Sequence, residues 1–405
     1  MQSKQGQAGA VRLFSLLNFF WGFWGTPYSL FVAIYLSQAG ISDSGIGLLF
    51  GVNSLMGLVV AFPSGLLSDR FNPKRAMLAG LVLTAPFYLA ITFTDSFFLL
   101  LLIFIIDSLG ANLYGIAADS SMYRAIETTK GKAFGVVHLL LNFGTAGSAL
   151  LSGYAIATFG FRGLGFIFLI PAFILGALVT KIPRATVKVE HHSLGEYLGD
   201  FRKREFLLLA IAAALLAYHW GAEKTSFPLY ASNILFLSSQ QLGLLFFLNL
   251  LIYAIGGLLA GRLIDISKHR TRLFILGLVI SAAGSLLYSS SYDFGSALLA
   301  RLLHDSGDAM LGVSLMFAIS VIAGRERMGG AVGAMYIIYI LANFTGAVAS
   351  GYINQYFGYP TAIQVSALLT LASAAVLALT VLSKISKSPF AAKSKSSPPL
   401  PSSLH

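Results

Sequence analysis

Ionisable side chains interrupt three of the apolar stretches of this chain, and their spacing groups them. Asp107 stands in one stretch, His219, Glu223 and Lys224 in a second, and Arg301, His304, Asp305 and Asp308 in a third. At about 100° per residue, positions 301, 304, 305 and 308 fall within an arc of roughly 100° on one helix, and His219 and Glu223 lie one turn apart. An ionised side chain at bilayer depth costs at least about 2.5–3.5 kcal/mol on insertion scales, so each needs a partner, a water-filled cavity or a task. The acids Asp107, Glu223, Asp305 and Asp308 outnumber the fixed bases Lys224 and Arg301, while His219 and His304 can change charge. Carboxylates crowded away from water favour proton uptake by one of their number, which suits coupling to a proton gradient. The inert alternative pairs Arg301 with Asp305 and Lys224 with Glu223 as interior salt bridges. Asp107 has no local partner of that kind.

Bond-making chemistry is not expected. The chain has no cysteine, which excludes disulfides, thiolate nucleophiles and Cys-based metal sites. No histidine or carboxylate run has dedicated metal-ligand spacing, so neither metal nor cofactor is expected. His304 and Asp305 are adjacent in sequence and project in different directions, a poor catalytic dyad.

Apolar runs of roughly twenty residues, the length needed to cross a bilayer, predict twelve helices over 12–37, 44–67, 74–94, 96–124, 132–158, 161–181, 205–232, 240–264, 272–291, 294–322, 329–354 and 359–382. The first is too long, and lacks a small-residue cleavage site, to be a removable signal. Asp107 then lies near the middle of the fourth predicted helix, His219 to Lys224 in the outer half of the seventh, and the 301–308 group from the outer half to the middle of the tenth. The first helix has no charge but offers Asn18, Trp21 and Trp24; Asn18 and Trp21 share a face that can hydrogen-bond and stack. The tryptophans also suit interfacial anchoring. Tyr336, Tyr339 and Asn343 can extend a polar wall, whereas Asn53 and Asn249 read as helix-to-helix hydrogen bonds.

Over 405 residues the chain is 56% hydrophobic and 11% charged, with a mean hydropathy of +0.78, which places it among all-α, multi-pass membrane proteins. The net charge of +11 does not indicate nucleic acid, because all but three of the 27 Lys and Arg (Arg162, Lys224, Arg301) fall in the termini and in every second loop. This asymmetry predicts that both termini and these loops face the cytoplasm, against anionic lipid. Residues 183–204 read as a cytoplasmic connector between six-helix halves over 1–182 and 205–382. The Lys/Ser/Pro-rich stretch 383–405 reads as a disordered tail.

The two halves repeat each other. Gly47-Leu48-Leu49-Phe50, Asn53, Gly65 and Asp69 return as Gly243-Leu244-Leu245-Phe246, Asn249, Gly261 and Asp265, offset by 196. Asp107-Ser108, Ser152-Gly153-Tyr154 and Phe159-Gly160 return as Asp305-Ser306, Ser350-Gly351-Tyr352 and Phe357-Gly358, offset by 198. Duplicated membrane bundles with a site between the repeats are a common transporter architecture.

Between the second and third predicted helices run Gly65, Asp69-Arg70-Phe71-Asn72 and Lys74-Arg75. This loop resembles the signature of the major facilitator superfamily: glycine, three residues, Asp-Arg, an aromatic, glycine, then a basic pair. Asn72 replaces the last glycine, and Asn is among the few residues that tolerate left-handed geometry. In the second half Gly261 and Asp265 keep the spacing, but Ile266 replaces the arginine. The resemblance covers roughly residues 12–382 and implies two pseudo-symmetric six-helix bundles, a gating role for the loop residues, and a central cavity lined by helices 1, 4, 7 and 10. The weaker echo Gly144, Ser148, Ala149, Ser152 and Gly153 lacks the proline of the family's drug-antiporter branch and reads as a packing face. Repeat, topology and interior charges together lead to the expectation of a monomeric, proton-coupled transporter in the plasma membrane, moving a small organic solute by alternating access. The alternatives are efflux of lipophilic cations by proton antiport and, further off, a transport-inactive receptor or a membrane enzyme.

Overall fold

The structure is a computed structural model that describes residues 4–70, 73–125, 131–182, 204–266, 270–323 and 328–382. The connector over 183–203 and the tail from 383 lie outside the described residues. Among those described, the α-helices are α1 (Lys4–Leu30), α2 (Val32–Gln38), α3 (Asp43–Arg70), α4 (Pro73–Thr84), α5 (Phe87–Ala90), α6 (Phe97–Ala125), α7 (Gly131–Val179), α8 (Arg204–Asn233), α9 (Ser239–Ile266), α10 (Arg270–Tyr288), α11 (Phe294–Ala323), α12 (Met328–Phe357) and α13 (Tyr359–Leu382), with no strand. A lipid environment demands this, since backbone groups that cannot reach water must be satisfied within their own helix. Eight stretches of the described residues are apolar and long enough to cross a bilayer alone. One of them, Val136–Val179, has 44 residues, room for two crossings.

Predicted and observed helices match in order, with differences at three points. The first predicted helix bends at Phe31 into α1 and α2, just after Pro27. The third is broken at Pro86, which lacks the N–H needed to continue a helix, into α4 and α5 plus a short 3-10 turn, Ile91–Phe93. The fifth and sixth form the single element α7, turned sharply at Gly160 (φ 68°).

That turn explains part of the repeat. Gly160 and its mate Gly358 both have positive φ, a backbone region that glycine enters without steric penalty. Gly40 and its mate at the 196 offset, Phe236, also share positive φ (84° and 52°). The second half thus keeps the turn after losing the glycine, at a local strain of about 1–2 kcal/mol.

The repeated glycines inside helices do different work. A Cβ on Gly47 would stand 2.8 Å from Cα of Gly351, and one on Gly243 would stand 3.0 Å from Cα of Gly153. These are two pseudo-symmetric crossings, α3 with α12 and α7 with α9, each joining the first half to the second. Nearby, Asn233 donates to Ser37 Oγ (3.1 Å) and Tyr359 Oη (2.9 Å), and Tyr359 donates to Asp43 Oδ1 (3.2 Å). All of these contacts lie at the end opposite the basic loops. At that end the halves are closed against each other.

Candidate functional site

Between the halves lies a cavity of about 290 Å³ whose wall includes Ser29 and Leu30 of α1, Glu223, Lys224 and Phe227 of α8, Asn249 and Tyr253 of α9, Arg301, Asp305 and Asp308 of α11, and Tyr339 of α12. The polar lining is thus almost wholly from the second half. The helix that carries most of it begins cleanly: Asp293, ahead of α11, accepts from the backbone N–H (2.7 Å) and hydroxyl (2.6 Å) of Ser296. Those bonds hold its carboxyl below the ordinary range.

Arg301 organises the cluster. Its Nη2 lies 2.7 Å from Glu223 Oε1 and 3.0 Å from Asp305 Oδ1, so one guanidinium nitrogen serves carboxylates from two helices. Its plane lies over the Phe227 ring at 4.8 Å. With the Asn249 amide oriented by its neighbours, its oxygen accepts from Arg301 Nε at 3.3 Å and its nitrogen donates to the Leu245 carbonyl. One turn further, Asp308 accepts from Trp220 Nε1 (2.9 Å) and Ser281 Oγ (2.6 Å). His304 Nε2 lies between Glu223 (3.6 Å) and Asp308 (3.8 Å). His219 stands edge-on to His304 at 5.1 Å between ring centres. The grouping of 219, 223, 301, 304, 305 and 308 expected from helical spacing is therefore observed, and α8 and α11 bring the two sets into contact.

Two partnerships differ from expectation. Arg301 does pair with Asp305, but it also takes Glu223. Lys224 donates instead to Asn343 Oδ1 (3.2 Å), an oxygen that also accepts from Ser54 of the first half (2.8 Å). Asn343 therefore joins α8 and α12 to α3.

The first-half candidates lie elsewhere. Asp107 does not face the cavity: it is buried among α3, α4 and α6, where it accepts from the Thr84 hydroxyl and from Asn53 Nδ2 (3.3 Å). Missing charged neighbours suggested a free carboxylate, whereas uncharged donors from two other helices satisfy it. Trp21 stacks on Tyr114 (4.2 Å between ring centres) and on Trp24, and Trp24 packs against Tyr88. Asn18 donates to Phe14 O of its own helix. These three side chains pack the first half, and α1 meets the cavity one to two turns later, at Ser29 and Leu30. Asn53 and Asn249 both make the helix-to-helix hydrogen bonds expected of them, Asn249 through Arg301, and Asn249 also lines the cavity. Trp220 and Tyr253 also belong to the site without having been expected there; helical adjacency to His219 and Asn249 was the available signal.

In the loop motif, Lys74 donates to the Thr180 carbonyl (2.8 Å), tying the start of α4 to the end of α7, and Arg75 is exposed. A Cβ on Gly261 would meet nothing within 4 Å, so no close approach calls for that glycine. The side chains of Asp69, Arg70 and Asp265, and the surroundings of Gly65, lie outside the described residues.

Known proteins resemble this chain in sequence and in fold. The family model described as the Major Facilitator Superfamily matches residues 13–235 and again 209–404. The quinolone resistance protein NorA of Staphylococcus aureus is 24% identical over 338 residues, covering 78% of this chain and 83% of NorA. The MFS-type transporter MJ1560 of Methanocaldococcus jannaschii is 23% identical over 361 residues, covering 84% of this chain and 90% of the relative. Among solved structures, an inward-facing, occupied bacterial homologue of the human lysosomal transporter Spinster superposes with a TM-score of 0.76 at 14% identity, covering 95% of this chain and 98% of the other. The nucleoside transporter NupG gives 0.72 at 13% identity, covering 92% and 99%.

Proposed function

The chain belongs to the Major Facilitator Superfamily and is a multi-pass membrane transporter, and from that premise we propose that it couples proton movement to transport of a small organic solute across the plasma membrane. The observation that carries the reading is charge placement at the cavity: among the described residues Glu223, Asp305 and Asp308 face two fixed cations, Lys224 and Arg301, so the third positive charge must be a proton, held on His304 between Glu223 and Asp308 or on a carboxylate, or a group of the solute. Such an imbalance calls for a proton or a cationic group to enter with, or exchange for, the solute. Arg301 shared between carboxylates of α8 and α11 supplies a switch. Neutralising Glu223 releases the guanidinium from α8, and an anionic solute can take its place. Lys224, bonded through Asn343 to Ser54, carries that change to the first half. A volume of about 290 Å³ fits a metabolite-sized solute. No bond of the solute is made or broken in this reading. The protein works as a monomer, with its basic loops against anionic lipid.

A second reading has its own support. Trp220, Phe227, Phe246, Tyr253 and Tyr339 line the cavity, and aromatic faces beside surplus carboxylates suit a lipophilic cation. One relative is named a quinolone resistance protein, which adds weight to efflux by proton antiport. Flux in liposomes under an imposed pH gradient, across a panel of metabolites and cationic dyes, tests both. We expect gradient-driven transport that Asp305→Asn uncouples. Equal flux with the gradient collapsed and the voltage clamped would sink proton coupling. Loss of anionic solutes but not dyes in Arg301→Ala favours the metabolite reading, and the reverse pattern favours efflux.

A further inference from the structure

We propose that His219, Glu223, His304 and Asp308 form a binding site for one divalent transition-metal ion of the zinc class, set in the wall of the cavity. The proposal goes beyond the transport reading and does not depend on proton coupling.

Two helices each present a pair of ligands one turn apart: His219 and Glu223 on α8, His304 and Asp308 on α11. One ligand atom from each of the four lies within 4.8 Å of all the others. His304 Nε2 is 3.6 Å from Glu223 Oε1 and 3.8 Å from Asp308 Oδ2. In a tetrahedral site with bonds of about 2.0–2.1 Å, ligand atoms stand roughly 3.3–3.4 Å apart. Inward movement of about 1 Å or less at each ligand closes the site.

The imidazoles point independently to an ion. Both rings are fully buried, and Nε2 of each has no hydrogen-bond partner. The other nitrogen of each ring is held. His219 Nδ1 lies 2.6 Å from Ser366 Oγ. His304 Nδ1 lies 2.9 Å from the Ser281 carbonyl, which can only accept, so Nδ1 carries a proton, and Nε2 faces the carboxylates and gives up any proton it holds when an ion binds. An outer-shell bond on one nitrogen with the other aimed at the remaining ligands is the arrangement of a metal-ligating histidine. Asp308 is likewise braced by Trp220 and Ser281, with acceptor capacity left on its oxygens. Two imidazoles and two carboxylates favour zinc, cobalt or nickel over magnesium or calcium. Arg301 bonds the same Glu223 oxygen, so a bound ion would draw Glu223 away from Arg301 and leave the guanidinium to Asp305.

The fold alone makes this set. The tenth predicted helix has a counterpart in the first half, and at the 198 offset Ile103, Ile106 and Gly110 stand where Arg301, His304 and Asp308 stand in the second.

The test uses the full chain purified in detergent without an oligohistidine tag, titrated with cobalt chloride. We expect one saturable equivalent with the visible absorption of tetrahedral cobalt, displaced by zinc and not by magnesium. His219→Gln and Glu223→Gln should each abolish that spectrum while the protein stays monodisperse, and Ser366→Ala should weaken binding about tenfold or more. His304→Ala gives the same loss if it folds. The proposal is overturned if no tetrahedral spectrum appears. It is equally overturned if the spectrum survives in both His219→Gln and Glu223→Gln, which would assign the ion to other histidines, or if magnesium displaces cobalt as readily as zinc does. Because binding is read at equilibrium with no flux, its failure leaves the gradient experiment untouched, and the converse holds.

Discussion

Arg301 is the residue on which the cluster depends. Its guanidinium serves Glu223 and Asp305, and removing it leaves buried carboxylates facing each other. Arg301→Gln should abolish transport of anionic solutes and cost about 3–5 kcal/mol of stability, the usual result of stripping one partner from a buried ion pair. Adding Glu223→Gln should return much of that stability without transport. Thermal melting followed by size-exclusion chromatography, beside liposome flux, checks both; a double variant no more stable than Arg301→Gln would contradict the pairing. Helical spacing made the 301–308 face legible, because positions on one helix are fixed relative to each other by the backbone. It could not show that Lys224 turns to Asn343 rather than to neighbouring Glu223, or that Asp107 is sealed by Thr84 and Asn53. Those choices depend on side chains from other helices.

The elements explain why the repeat survived where it did. Gly47 with Gly351 and Gly153 with Gly243 make two pseudo-symmetric crossings between the halves, where no Cβ fits without displacement. Gly160 and Gly358 hold positive φ at matched turns. Overpacking of a close contact costs typically about 1–3 kcal/mol, and about 1.4 kcal/mol shifts an equilibrium tenfold. Gly351→Val should therefore move the population about ten- to a hundredfold towards opening at the end opposite the basic loops, with Gly153→Val doing the same at the partner crossing. A cysteine at Leu250 on the cavity wall, labelled by an impermeant reagent from that side, reads the shift; unchanged labelling in both variants would contradict a gate at these crossings. The sequence marked these glycines as duplicated, although not that each half's copies meet the other half's.

At the scale of the molecule, Ser37, Asn233, Tyr359 and Asp43 form a chain of hydrogen bonds that joins the halves at the closed end. Since the chain has no cysteine of its own, Ser37→Cys with Asn233→Cys introduces the only thiols. Oxidation should cross-link the pair and reduce transport to background, and reductant should restore it. A cross-linked protein that transports at its former rate would contradict alternating access through this end. Composition, charge asymmetry and the two offsets determined by themselves that the chain is a duplicated helical membrane protein. Each of these is written along the chain, as runs of apolar residues, loop charges and recurring spacings. Only the tertiary structure decided which charges share a cavity and which are sealed within one half. The duplicated aspartates show why: Asp107 and Asp305 occupy the same place in the repeat, yet Ile103 stands where the second half has Arg301. A carboxylate's surroundings are set by neighbouring helices, whose residues lie far from it in sequence.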